Sequence, residues 1–534
     1  MLVESLLAQG VDTLFGIPGV DTLAIYDAFL DYPDMRVINV RHEQAAVFMA
    51  DGYYRSSGRI AAALTSGGPG ALNTVTAMST AFTDSSAVLH VMNENPPGVR
   101  RKAQGYFHDL SDQFGIFRPV TGFGTQVMLA AEIPAAIERA VYAMRNRRPR
   151  PAVVEIASEA IAEQTSAPAA APARIEHRMP DRDAVRRAAS IVAAAERPVI
   201  WSGGGVIAAE AATSLRRLAE WTGAPVLTSQ AGKGSFPPEH PLYLGNWSNE
   251  QPVRDLLARS DVLVAVGTRF SYFPTGAWSL RLPETIVQID IDPEELGRNY
   301  RATIGIAADA AIGLDALGEA LAELGYGGRP SRADEVAGAL ARIAAAVGSS
   351  DELAVLDQMR SAIPASARVF NDPTTIAFWA RSSWMAQEPR TWFVPSGFGT
   401  LGFALPAAIG AKVATPEHAS VAVIGDAGVM FTIQDLMTAV EHRIPVIVMI
   451  FNDEGYGVER RHQDHLYGRR SGVDMMAPDF VALAKAFGAA GVRVDDLADV
   501  GKTVESALDA TEPVVIEIPN RFRHPGYGAW ASYE

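Results

Sequence analysis

The 534-residue chain contains no cysteine, which excludes disulfide staples and thiolate metal sites. It also lacks any apolar run approaching the ~18 residues that a membrane-spanning helix needs. Its start offers Glu4 and Gly10 where a leader would show a basic stretch and an apolar core, so a cytoplasmic enzyme is expected. Positive charge is in deficit. Lys and Arg number 46 against 61 Asp and Glu, and the formal net charge of −15 argues against a nucleic-acid surface. The one basic cluster, residues 145–150, reads as a solvated turn. No period of roughly 20–50 residues recurs, which argues against a solenoid.

What is present points to α/β architecture. A hydrophobic content of 48% suits a globular protein, and the length exceeds what one core holds, suggesting about three domains. The first, residues 1–162, opens with an amphipathic segment, runs a strand into Phe15-Gly16-Ile17-Pro18-Gly19 and adds strands at 37–40 and 61–64. Strands alternating with helices imply a parallel sheet covered on both faces. Residues 167–173 (APAAAPA) read as a linker. The second domain, 180–330, has a strand at 198–201 running into Gly203-Gly204-Gly205, with further strands at 262–266 and 286–291. Those glycines do not fit G-x-G-x-x-G, and a close strand-to-helix turn is preferred to a nucleotide site. An Ala-rich stretch, 332–348, reads as helix and connector before the third domain, 352–534. The expected fold is three doubly wound parallel sheets.

The third domain carries the chemistry. Residues 420–424 (SVAVI) read as a buried strand running into Gly425-Asp426-Ala427, and 24 residues later a second strand, 445–451, ends in Asn452-Asp453-Glu454-Gly455-Tyr456-Gly457. Free backbone N–H groups where a strand turns into a helix favour phosphate. Asp426 and Asn452 add oxygens for Mg²⁺, which takes about six in total, most of them from phosphate and water. Upstream lies the glycine-rich stretch 396–410, SGFGTLGFALPAAIG, and far away in the first domain stands Arg41-His42-Glu43-Gln44.

With these motifs in order, and with Ser66 to Asn73 (SGGPGALN), Arg118-Pro119 and Asp290 to Pro293, nearly the whole chain resembles the thiamine diphosphate-dependent enzymes, most closely the acetolactate synthase-like branch. The resemblance implies three domains that bind, in turn, the pyrimidine, no reacting group, and the diphosphate. It makes Glu43 the carboxyl that hydrogen-bonds the cofactor's pyrimidine nitrogen and so generates a base beside the thiazolium C2. A carboxyl that shares a proton in this way needs shelter from water. Pro69 and Asn73 would belong to the pyrimidine pocket. Gly399 would offer its carbonyl to the pyrimidine amine, and Leu401 would bend the cofactor. Asp426, Asn452 and the carbonyl of Glu454 would hold Mg²⁺. Ala427 and Gly428 would donate N–H groups to the diphosphate, with Gly455 and Tyr456 beside them. The family's sites form between subunits, so a homodimer, or a homotetramer of two dimers, is implied.

Departures from the branch fall on substrate-handling positions. His462 stands where the synthases carry tryptophan, Ser158 where they carry lysine, and His108, after Phe107, where they carry an amide. His108 suits a carboxylate contact or a proton transfer. Val20, where decarboxylases of the family carry a polar residue, leaves room for an apolar substituent. Arg269 lies in a segment similar to one that meets FAD in flavin-containing relatives, but FAD is not expected here. Trp530 and Tyr533 fold over the cleft or pack on the surface. The resemblance implies a lyase or transferase that decarboxylates a 2-oxo acid through a C2 ylid, then protonates the enamine or adds it to a second carbonyl. Two alternatives share the cofactor: cleavage of a 2-hydroxyacyl-CoA thioester or an oxalyl-CoA decarboxylase-like reaction, and a non-catalytic cofactor-binding paralogue.

Overall fold

A computed structural model describes residues 1–102, 104–519 and 521–525; Trp530 and Tyr533 lie outside them. The described chain forms three six-stranded sheets in which every strand pair is parallel. The first sheet comprises β1 (Thr13–Gly16), β2 (Arg36–Asn39), β3 (Ala62–Thr65), β4 (Leu89–Glu94), β5 (Phe123–Val127) and β6 (Ala152–Ala157). The second comprises β7 (Pro198–Ser202), β8 (Val226–Thr228), β9 (Tyr243–Gly245), β10 (Val262–Val266), β11 (Thr285–Asp290) and β12 (Ile304–Ala307). The third comprises β13 (Arg368–Asn371), β14 (Trp392–Phe393), β15 (Ser420–Gly425), β16 (Ile447–Asn452), β17 (Ala490–Arg493) and β18 (Val514–Pro519). Central strands such as β3, β4, β10 and β6 are buried along their whole length, as expected of parallel strands covered on both faces.

The first sheet runs β2-β1-β3-β4-β6-β5 and the third β14-β13-β15-β16-β18-β17, the same order counted within each sheet. The second runs β12-β11-β10-β7-β8-β9, the order of dinucleotide-binding folds. Its glycines serve close packing: a Cβ on Gly203 would stand 2.1 Å from the Gly267 carbonyl oxygen, and one on Gly205 2.6 Å from the Gly267 Cα. In the end sheets the chain leaves β1 for one side and β3 for the other, and likewise β13 and β15. A crevice opens at such a reversal, beyond the carboxyl ends of the strands.

The end domains are welded through two helices. Glu43–Ser57 begins at His42, whose Nδ1 accepts from Gln44 N at 3.2 Å, and stops at Gly58 in the left-handed region. Ala404–Ala414 crosses it so closely that a Cβ on Gly52 would lie 2.0 Å from the Ala407 oxygen, and one on Gly410 1.9 Å from the Met49 oxygen. Around the crossing, Phe48, Phe370 and Phe403 share one buried cluster. Gly410→Ala forces the helices apart and is expected to destabilise the protein by about 1–3 kcal/mol, the usual cost of overpacking, read as a lowered denaturant midpoint.

Residues 145–150 are not a solvated turn. Arg148 Nη1 reaches Glu295 Oε1 in the middle domain at 2.6 Å with both side chains largely covered, and the Arg150 guanidinium lies 4.2 Å from the Phe82 ring centroid. Charge that reads as solvated in one dimension is used at a domain boundary in three. Arg269 likewise donates to the Thr83 carbonyl of the first domain at 2.5 Å. The 167–173 stretch is irregular as expected, but the Gln9 side chain donates to the Ala171 carbonyl and accepts from Ala173 N, holding it to the first domain. Among the described residues no helix is long and apolar enough to cross a membrane.

Candidate active site

A cavity of about 420 Å³ opens at the reversal between β13 and β15. Three helices start at its wall: Thr375–Ser383, Asp426–Val429 and Gly457–Tyr467. Thr374 caps the first, its Oγ1 accepting from Ala377 N at 3.2 Å. Backbone N–H groups left without partners at helix starts favour an anion. Gly399, Leu401, Ala427, Gly428, Gly455 and Tyr456 line the same cavity, as does His462. The loop bearing Gly399 is shaped by Asp372, which accepts from Gly402 N at 2.6 Å and Ala404 N at 2.8 Å. Burial pushes the Asp372 carboxyl up to about 7. Phe522 closes one side, its ring 5.7 Å from Phe451, while the adjacent Arg523 carbonyl accepts from the Trp379 indole at 2.6 Å.

Two acids meet at the cavity wall. Asp426 is 4% exposed and accepts from Gly455 N at 2.9 Å. Burial pushes its carboxyl up. Asp453 is pushed up to about 6, first by burial and next by the facing Asp426 carboxylate. Two neighbouring carboxylates away from water are held apart only by losing a charge or by gaining a cation. With helix starts alongside, this donor set fits a hard divalent ion such as Mg²⁺.

Asn452 and Glu454, the expected partners of Asp426, are engaged in other contacts. Asn452 Nδ2 donates to Glu517 Oε1 at 2.8 Å, and Asn452 Oδ1 accepts from Glu454 N at 3.1 Å. The Glu454 carbonyl already accepts from Met475 N at 2.9 Å and from Arg460 Nη2 at 3.0 Å. Neither residue lines the cavity, whereas Asp453 and Gly455 do. Side chains alternate along an extended strand end, so a shift of one residue exchanges inward for outward. Beside Asp426 the cavity is thus lined by Asp453 and Gly455, while Asn452 and Glu454 make their contacts elsewhere.

The first domain builds a second, separate face at its own reversal between β1 and β3. Glu43, half-buried at the start of its helix, accepts from Asn73 Nδ2 at 2.9 Å. Asn73 follows the short helix Pro69–Leu72, and both Pro69 and Asn73 are exposed. His108 packs on the preceding turn: a Cβ on Gly68 would lie 2.8 Å from the His108 Cβ. The imidazole stacks on Phe107 at 3.7 Å between ring centroids and lies 3.9 Å from Asp21 Oδ2. Val20 and Phe107 project into solvent, 79% and 65% exposed. Ser158 donates to the Glu94 carbonyl at 2.9 Å. No residue of this face lines the third-domain cavity. Within one chain, then, Glu43 and Asn73 come together, as do Gly399, Leu401 and Asp426, but the two groups stand apart.

Sequence reading missed Thr374, Thr375, Asp372 and Asp21. The run Asn371-Asp372-Pro373-Thr374 does carry a helix-start signature, a capping threonine just after a strand. Asp372 could not be read locally, because the N–H groups it serves lie 30 and 32 residues away.

A doubly wound chain with a diphosphate cradle in one end domain and a carboxyl-bearing crevice in the other defines a cofactor-binding α/β enzyme. The chain belongs to the thiamine pyrophosphate enzyme family. It matches that family's N-terminal TPP binding domain over residues 1–116, its central domain over 185–317 and its C-terminal TPP binding domain over 372–518. It is 36% identical over 524 residues to a protein named "Probable 2-ketoarginine decarboxylase" from Pseudomonas aeruginosa, covering 97% of this chain and 93% of the relative. It is 33% identical over 544 residues to a "Probable acetolactate synthase large subunit" from Methanocaldococcus jannaschii, covering 97% and 90%. It is also 32% identical over 530 residues to the acetolactate synthase isozyme 3 large subunit of Escherichia coli, covering 95% and 92%.

Proposed function

We propose that the protein is a thiamine diphosphate- and Mg²⁺-dependent decarboxylase of a 2-oxo acid, working as a homodimer in which the first-domain face of one chain closes on the third-domain cavity of the other. The observation that carries this reading is the separation of Glu43 from Asp426 within one chain, each at the reversal point of its own sheet. Exposed apolar side chains rim both halves: Val20, Leu23 and Phe107 on one, Phe398, Met430 and Phe431 on the other. Such patches mark surfaces that a partner covers.

Thiamine diphosphate, when bound, supplies a nucleophilic carbon and an electron sink for the loss of CO₂. The chain's residues do the rest. Asp426 and Asp453 would hold the cation, and the helix starts at Thr375 and Gly457, which line the cavity, would receive the diphosphate. Asn73 fixes Glu43 Oε2, leaving Oε1 to share a proton with the pyrimidine nitrogen. His108, steadied by Phe107 and beside Asp21, would be the chain's proton donor once CO₂ has left. A proton donor at that place favours release of an aldehyde over ligation. The relative named as a 2-ketoarginine decarboxylase points the same way and suggests 2-oxo acids with a long basic side chain as the first substrates to try.

The test is a panel of 2-oxo acids, 2-ketoarginine and pyruvate among them, given to protein loaded with thiamine diphosphate and Mg²⁺, with CO₂, aldehyde and ligated products measured. CO₂ with aldehyde supports the reading. Ligated product alone moves the protein to the synthases. Turnover confined to a 2-hydroxyacyl thioester, or none at all with cofactor bound, overturns it.

A further inference from the structure

We propose that Asp84 and Arg55 are positioning residues that shape the cofactor-holding loop 394–403, so that the first domain serves two active sites at once. The inference rests on the reading above.

The loop contributes Ser396, Gly399 and Leu401 to the cavity, yet Gly397, Phe398 and Gly399 are exposed. Little apolar burial fixes its tip, so polar anchors decide its shape. Asp84, the residue that ends helix Val75–Thr83, accepts from Gly397 N at 2.7 Å through Oδ1. Its Oδ2 accepts from Arg55 Nη2 at 3.2 Å. Arg55 is itself fixed by Asp51, with Nε and Nη2 donating at 2.7 and 2.8 Å, and it donates from Nη1 to the Val394 carbonyl at 3.3 Å. The side chains of Arg55, Asp51 and Asp84 are 11%, 0% and 8% exposed, so solvent weakens none of these bonds much. Midway along the loop, Thr400 Oγ1 and Thr80 Oγ1 share a hydrogen bond of 2.7 Å. Contact is tight as well: a Cβ on Gly397 would lie 2.7 Å from the Thr83 Cβ.

The loop is thus pinned at Val394, Gly397 and Thr400 by its own chain's first domain and at Gly402 by Asp372. Gly399, at φ 70°, and Leu401 lie between the pins. Arg55 rides the helix that Glu43 begins, 12 residues on, a rise of about 18 Å at 1.5 Å per residue. In the proposed dimer one rigid helix therefore presents its carboxyl to one site and holds the loop of the other.

The measurement is the thiamine diphosphate Kd, by quenching of intrinsic fluorescence at fixed Mg²⁺, alongside the thermal midpoint. Asp84→Ala leaves Arg55 paired with Asp51 but frees Gly397 N, and it is expected to raise Kd about tenfold, the worth of one charge-assisted hydrogen bond. Asp84→Asn keeps an acceptor and should restore Kd to within about threefold of the parent. Thr400→Val removes the middle pin without emptying a buried acid and should raise Kd by about threefold to tenfold. A lowered midpoint with unchanged Kd in Asp84→Ala overturns the proposal by reducing the clamp to a structural weld. Should that variant not fold, unchanged Kd in Thr400→Val does the same. Parent protein that binds no thiamine diphosphate defeats the cofactor reading itself, and the clamp with it.

Discussion

Glu43→Gln is expected to lower turnover by about 10²–10⁴-fold, the range a positioned acid or base contributes, while the thermal midpoint stays near that of the parent. Glutamine fills the same volume and can still accept from Asn73 through its carbonyl, which now does so with Glu43 at 2.9 Å. What it loses is the ability to carry a proton to and from the pyrimidine nitrogen. The carboxyl is half-buried within one chain. The remaining shelter that such a group needs would come from the partner's cavity and the cofactor. Steady-state rates with saturating thiamine diphosphate and Mg²⁺ read the effect. Turnover within about threefold of the parent would remove Glu43 from proton transfer, because binding alone does not require an ionisable group there.

Asp426→Ala is expected to weaken thiamine diphosphate binding at least about a hundredfold, since even the outer partners of metal ligands cost 10–100-fold when removed. The loss should be matched, in the parent, by stripping divalent cations with a chelator and reversed by adding Mg²⁺. Asp453→Asn gives a sharper comparison. It keeps a coordinating oxygen while removing the charge that crowds Asp426, so cofactor binding should survive it. Asn452→Ala, by contrast, removes a side chain bonded to Glu517 and turned from the cavity. Calorimetric titration of Asn452→Ala beside Asp453→Ala, which leaves no side-chain oxygen to coordinate, separates the ligand set Asp426 and Asp453 from the set Asp426 and Asn452. The first set predicts loss of binding in Asp453→Ala and retention in Asn452→Ala. Loss of binding in Asn452→Ala with retention in Asp453→Ala would restore the second set.

Strands, sheet class and the two motif-bearing turns were legible because each rests on local pattern. Residues 420–424 and 445–451 are apolar runs bounded by turn signals, and β15 and β16 fall on them. Failures came where the answer depends on something outside the local window. Whether residue 452 or 453 faces the cavity turns on the parity of a strand end, which pairing with β15 and β18 decides. The role of Arg148 depends on Glu295, 147 positions away. The common strand order of the end sheets leaves no repeat in the sequence, because topology constrains which positions are apolar and not which residues fill them.

The proposed division of each site into two faces carried by different chains would have a genetic consequence. A Glu43→Gln chain is defective only in the face it lends to its partner's cavity, and an Asp426→Ala chain only in its own cavity. Each homodimer is dead at both sites. In a mixed dimer both lesions fall on the same site, and the other is assembled entirely from sound parts. Random reassortment of the two inactive proteins, or their co-expression, should therefore complement to about a quarter of the parental activity, as two-fold symmetry dictates.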